Sequence, residues 1–109
     1  MIGEFEYLLI TVAARLGEEA YGAAIRREVE EATRQGCSIG SLYTTLERLE
    51  NKGLVTTRMG EPTPQRGGRA KRMVRVTAKG IQAAGEFYAA ISQASEDAPW
   101  ADKPAREQP

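Results

Sequence analysis

The sequence predicts a mainly α fold with one small β-hairpin, in the order helix, helix, helix, strand, strand, helix. Three observations predict it. Apolar residues recur at helical spacing in four separate segments. Two short runs, 54–59 and 72–77, are rich in β-branched residues and alternate as strands do. Charge is also segregated: residues 56–80 carry seven Lys/Arg against Glu61 alone, whereas 1–55 and 81–109 each carry a net −3 and the whole chain is neutral.

Phe5, Leu8, Leu9, Val12, Ala13 and Leu16 form one face of a first amphipathic helix, stopped by Gly17. A second helix runs from Gly22 to about Thr33, with Tyr21, Ile25, Val29 and Ala32 inward and a charged outer face of Arg26, Arg27, Glu28, Glu30 and Glu31. Residues 34–37 make a turn, and Ser38 is a good N-cap for a third helix. At 100° per residue, Ile39, Leu42, Leu46 and Leu49 share one sector of that helix. Gly40, Ser41, Thr44, Arg48, Asn51 and Lys52 fall on the other side, and Gly53 supplies a left-handed stop. Glu50 falls near the apolar sector and reads as an end-of-helix residue or an ion-pair partner. The strands pair as a hairpin joined by residues 60–71, a long connection holding Pro62, Pro64, Gly67 and Gly68. Thr77 is the expected N-cap of a fourth helix whose stripe is Ile81, Ala84, Tyr88 and Ile91. From Glu96 the chain is polar and broken by proline, which predicts a disordered tail over 96–109.

A chain of 109 residues suits one domain with a modest core. No apolar stretch reaches the ~20 residues that span a bilayer, and the first residues lack the basic start of a signal peptide. The expected location is cytoplasmic. Cys37 is the one cysteine, so an internal disulfide is excluded, and it reads as a small turn residue. Histidine is absent and no phosphate-binding, nucleophile-elbow or dinucleotide motif is present. An enzyme, a metal site and a bound cofactor are therefore not expected.

A small, polar outer helix face beside a glycine-rich cationic loop is the outline of a winged helix-turn-helix. Small residues let a helix approach base edges, and basic ones grip the flanking phosphates. The expected contacts of the recognition helix are Ser38, Gly40, Ser41, Tyr43, Thr44, Thr45 and Arg48. Tyr43 flanks the apolar face, so it can serve the core or place its phenol on a phosphate. The expected wing residues are Arg66, Gly67, Gly68, Arg69, Lys71 and Arg72, acting on phosphates or in a minor groove. The first and fourth helices have wide apolar faces, which predicts a homodimer through Phe5, Leu8, Leu9, Val12, Ile81, Ala84, Tyr88 and Ile91. The expected organisation is a DNA-binding unit over 1–80, a dimerisation helix over 81–95 and the tail.

The chain resembles the PadR family of bacterial transcriptional regulators. The likeness is carried by Tyr21-Gly22, by SIGSLYTTLERLENKGLV over 38–55, by Gly67-Gly68-Arg69 and by Val76-Thr77-Ala78-Lys79-Gly80, and it covers roughly residues 5–87. Ile39 and Thr44 stand where many relatives carry proline. With one helix and a tail after the hairpin, the chain resembles the small subfamily, which the resemblance implies dimerises through its first and last helices. Drug-sensing small relatives hold flat aromatic molecules at the dimer interface through a tryptophan on the last helix; here the single tryptophan, Trp100, lies in the proline-rich tail. The reading is a homodimeric regulator, a repressor by family resemblance, on a palindromic duplex DNA operator. A small-molecule effector in the dimer cleft is compatible with it. The alternative is a protein-interaction module that docks the same helix-hairpin surface on an acidic protein partner.

Overall fold

The computed structural model describes residues 1–60 and 71–101. Its elements are α1 (Glu4–Leu16), a 3₁₀ turn (Gly17–Glu19), α2 (Gly22–Thr33), α3 (Ile39–Asn51), β1 (Val55–Met59), β2 (Arg72–Val76) and α4 (Ala78–Ala94). Local chemistry sets the ends. Ser38 caps α3 by accepting a hydrogen bond from the Ser41 amide at 3.0 Å, and Thr77 caps α4 by accepting from the Gly80 amide at 3.0 Å. Helix α2 stops at Arg34, which adopts the left-handed region at φ 60°, and the chain leaves α3 through Gly53 at φ 78°.

The core lies between α1, α2, α3 and the inner face of the hairpin. Leu9, Ile10, Ile25, Leu42, Leu46, Leu49 and Val55 are its largest fully buried side chains. Each contributes about 1.5–3 kcal/mol by leaving water. Two expected core positions are corrected: Ile39 is 56% exposed, because it opens the first turn of α3 and overhangs its end, and Ala32 is exposed on the last turn of α2. Ile10, outside the expected α1 stripe, is fully buried; the groove between α1 and its neighbours closes on more of the helix circumference than one stripe.

The strands are antiparallel, with Thr56 opposite Arg75 and Thr57 opposite Val74. Tyr21 adds a single bridge to Met73, and the Val74 amide donates to the Ala20 carbonyl at 2.8 Å, so β2 is covered on both edges and β1 is the outer strand. The start of α4 docks on the base of the hairpin. A Cβ on Gly80 would collide with the Leu54 carbonyl oxygen, so glycine permits this approach. Farther along, α4 touches the body through Phe87, whose ring stacks on Tyr7 at 4.9 Å between centroids. Of the expected disordered tail, residues 96–101 instead continue in hydrogen-bonded turns, Ala98 to Ser95 and Ala101 to Ala98, both at 3.0 Å. The rest of the expected tail lies outside the described residues.

Candidate nucleic-acid interface

Burying Leu42, Leu46 and Leu49 turns the opposite side of α3 outward. Ser38, Gly40, Ser41, Thr44 and Arg48 are all exposed, in a row from the small, capped N-terminus to the basic C-terminal turn. Thr45 departs from the expectation. It is 5% exposed, lies one residue round from Thr44 beside Leu46, and cannot reach a ligand on the outer face. Tyr43 is half-buried, with its hydroxyl pressed against Gly22, where a Cβ would clash. Its phenol is turned to the start of α2, so Tyr43 supports α3 from behind. This contact also explains the Tyr21-Gly22 pair that opens α2.

Two acids tie α3 to its neighbours, Glu6 from α1 and Glu50 from the last turn of α3 itself. Glu6 of α1 is buried; it accepts from the Gly3 amide at 2.9 Å and from Lys52 Nζ at 2.8 Å. Burial alone would raise its pKa, but the Gly3 amide, the Lys52 ammonium and the nearby Arg48 charge outweigh that and hold it below the ordinary carboxylate value. Glu50 reaches from α3 to the hairpin. Its carboxylate accepts from the Thr57 amide at 3.3 Å and from Thr57 Oγ1 at 3.1 and 3.2 Å, and it pairs with Arg72 at 3.9 Å. Both readings of Glu50 hold: it is the penultimate residue of α3 and it pairs with Arg72. The signal for Glu6 was an acid set among the apolar residues of α1.

Among the described residues of the hairpin, one expected cation is turned inward. Arg66, Gly67, Gly68 and Arg69 lie outside the described residues. Lys71 is exposed, with its ammonium 4.1 Å above the Tyr21 ring. Arg72, expected as a wing contact, is half-buried and bound inward: besides Glu50 it donates to Thr57 Oγ1 at 3.4 Å and lies 5.6 Å over the Tyr43 ring. Arg58 and Arg75 are exposed. Lys79 donates to the Lys52 carbonyl at 3.1 Å, where a cation suits the negative end of α3.

The expected dimer residues divide into two groups. Leu9 and Val12 are 1% and 3% exposed and belong to the protomer's own core; the expectation is corrected there, since three helices and the hairpin close over that side of α1. Phe5, Leu8 and Ala84 are half-buried, while Ile81, Tyr88 and Ile91 are 54%, 63% and 50% exposed. Cys37 is buried in the turn before α3, where its amide donates to Glu30 at 2.8 Å and its carbonyl accepts from Arg26. Burial and the Glu30 charge push its thiol pKa up against a smaller opposing effect of Arg26, which makes a thiolate unfavourable. Among the described residues no cluster of His, Cys, Asp or Glu is suited to a metal ion, and no helix is long and apolar enough to cross a membrane.

Four helices and a two-stranded hairpin, with the third helix packed on one side and polar on its outward side, define a winged helix-turn-helix protein. The chain belongs to the PadR-like family of transcriptional regulators, whose family model matches residues 9–86. It is similar to a PadR-like transcription factor from Bacteroides fragilis, at 30% identity and a TM-score of 0.68 over 84% of each chain. It is also similar to RosR of H. salinarum, at 32% identity and a TM-score of 0.63 over 97% of this chain and 84% of that one. Bacillus subtilis PadR in complex with operator DNA shares the fold at 21% identity and a TM-score of 0.63. That likeness takes in 77% of this chain but 46% of the longer protein. No curated protein matches the chain. Family membership makes this protein a transcriptional regulator and not an enzyme.

Proposed function

We propose that the protein binds duplex DNA as a homodimer and represses transcription from a palindromic operator. The observation that carries this reading is the open polar face of α3, where Ser38, Gly40, Ser41, Thr44 and Arg48 stand clear of the body while three leucines fix the helix from behind. In the reading, Ser41, Thr44 and Arg48 meet base edges and nearby phosphates. Lys71, with Arg66 and Arg69 of the hairpin connection, supplies sequence-independent affinity, and Gly67 and Gly68 let that backbone come close. The complex of Bacillus subtilis PadR with operator DNA supports the assignment by shared fold.

The second copy would cover Ile81, Tyr88 and Ile91 on α4 together with Phe5 and Leu8 on α1. Two α3 helices related by a two-fold axis would then read half-sites about 34–36 Å apart. A small-molecule effector fits this scheme at the dimer interface, and a cytoplasmic location follows from the role.

Equilibrium binding to duplexes selected from a randomised pool tests the proposal. Affinity should fall steeply with salt, by about 0.9 in log K per log salt for each phosphate neutralised. Replacing Arg69 and Lys71 with alanine should weaken every sequence alike and flatten that slope. Replacing Thr44 or Arg48 should erode preference for the selected sequence by about 1–3 kcal/mol per lost base contact. Absence of duplex retention at low salt, with an acidic protein retained instead, would favour the protein-interaction alternative.

A further inference from the structure

Glu50 poses a problem for a DNA-binding surface. It places a negative charge at the junction of α3 and the hairpin, the two elements that the proposed function turns toward phosphates. Simple electrostatics would have this position neutral or basic. Its partners suggest why an acid is there.

Glu50 lies on the last full turn of α3, half-buried, with its carboxylate directed to β1. Thr57, its partner, sits mid-strand in β1, and the Thr57 amide points away from β2 toward the carboxylate. Glu50 therefore occupies the unpaired edge of β1 and satisfies a donor that the sheet leaves open. The second carboxylate partner is Arg72, the first residue of β2. Arg72 in turn lies over Tyr43, and the Tyr43 hydroxyl abuts Gly22 at the start of α2. Its Nε is buried without a hydrogen-bond partner among the described residues, so the guanidinium is held through its outer nitrogen and its face. One acid thus ties the end of α3 to both strands, and through Arg72 and Tyr43 to α2.

We propose that Glu50 is a positioning residue for duplex binding: its carboxylate fixes the hairpin to the end of α3, so that helix and hairpin meet DNA as one body. Glu50 itself touches no nucleic acid. It also holds Arg72 inward, which leaves affinity to the remaining cations of the hairpin. The inference rests on the reading of α3 and the hairpin as a DNA-binding surface.

Replacement of Glu50 separates positioning from charge because the two predict opposite signs. Loss of a negative charge beside DNA should tighten binding if charge alone matters, whereas loss of a positioning contact should weaken it. Glu50→Ala, measured on duplexes selected by the parent protein, is expected to bind about tenfold more weakly, the effect of one hydrogen bond of ordinary net strength. Glu50→Gln keeps an acceptor for Thr57 and should recover most of that loss. Combining Glu50→Ala with Thr57→Val should cost less than the sum of the two single losses, since the residues share a contact and Thr57 keeps only its bond from Arg72 apart from it. Hydrogen exchange of the free protein supplies a readout that needs no DNA: amides of 55–59 and 72–76 should exchange faster in Glu50→Ala than in the parent, with those of α1 unchanged.

Binding by both Glu50 variants that equals or exceeds the parent's would overturn the positioning role. So would hairpin exchange unchanged by Glu50→Ala. If the parent protein retains no duplex, the DNA-binding reading fails, and with it any role for Glu50 in affinity; the exchange result then decides separately whether Glu50 holds the hairpin. Should Glu50→Ala fail to fold, Thr57→Val, which leaves the charge in place, is expected to weaken binding, and binding equal to the parent's would overturn the positioning role.

Discussion

Helices α3 and α4 are similar in length and both begin with a side-chain cap, yet the protomer treats them differently. Helix α3 buries Leu42, Leu46 and Leu49 and is flanked by two acids that tie it to α1 and the hairpin. Helix α4 buries only Gly80, at its first turn, and leaves Ile81, Tyr88 and Ile91 largely in water. One helix has its apolar side used from Leu42 onward and offers a polar side outward. The other has an apolar side still to be used. In a polypeptide this small, the first pattern suits a surface that reads a polar polymer, and the second suits association with another apolar face.

The strongest way to sharpen this contrast is one substitution at the seat of each helix. Leu46→Ala should destabilise the protomer by about 2–5 kcal/mol, because it opens a cavity in a closed core. Thermal or urea denaturation checks it. Gly80→Ala strikes at the closest approach of α4 to the hairpin. Its Cβ would meet the Leu54 carbonyl oxygen, and the strain should cost about 1–3 kcal/mol.

Glu6→Gln should cost about 1 kcal/mol at neutral pH through weakened hydrogen bonding. This effect has a pH signature. Folding lowers the Glu6 pKa from its ordinary 4.5, so the folded chain binds that proton less readily than the unfolded one. The stability that ionised Glu6 supplies is full above pH 4.5 and is lost as the pH falls through the folded value. The melting curves of the parent and Glu6→Gln should therefore converge in acid. Smallest is Ile91→Ala, expected to change unfolding free energy of an isolated protomer by within about 0.5 kcal/mol because the site is exposed. The same substitution, combined with Tyr88→Ala, should shift sedimentation toward a monomer. A large loss of protomer stability without a change in assembly would break the contrast between the helices.

Much of the fold could be read from local chemistry. Ser38 and Thr77 have the side chains that cap helices, Gly53 tolerates a left-handed exit, and the leucines of α3 repeat at helical spacing, so boundaries and orientation followed directly. Ile39 was misplaced because periodicity ignores where a helix ends: the first-turn residue shares the apolar sector but has no neighbour beyond it. Thr45 was misplaced because a hydroxyl looks polar in sequence while its methyl suits a core edge. The placement of Leu9 and Val12 failed for a different reason, since a stripe on α1 does not say whether the protomer or a second copy covers it. Arg72 and the acids depend on contacts between positions far apart in sequence. Glu50 and Thr57 meet only after the chain reverses at Gly53, and Glu6 meets Lys52 across 46 positions. Such pairings leave no periodic trace.

The close seating of Gly80 gives α4 the mechanics of a lever. Seventeen residues at 1.5 Å each make an arm about 25 Å long, clamped at its base against the hairpin and braced at mid-length where Phe87 stacks on Tyr7. A tilt of about 5° at that clamp displaces the far end by about 2 Å, enough to change which side chains meet across a packed surface. The transfer runs both ways. A small adjustment of the hairpin is magnified at Ile91, and whatever settles against Ile91 presses back, at high mechanical advantage, on Leu54 and the strand beside it.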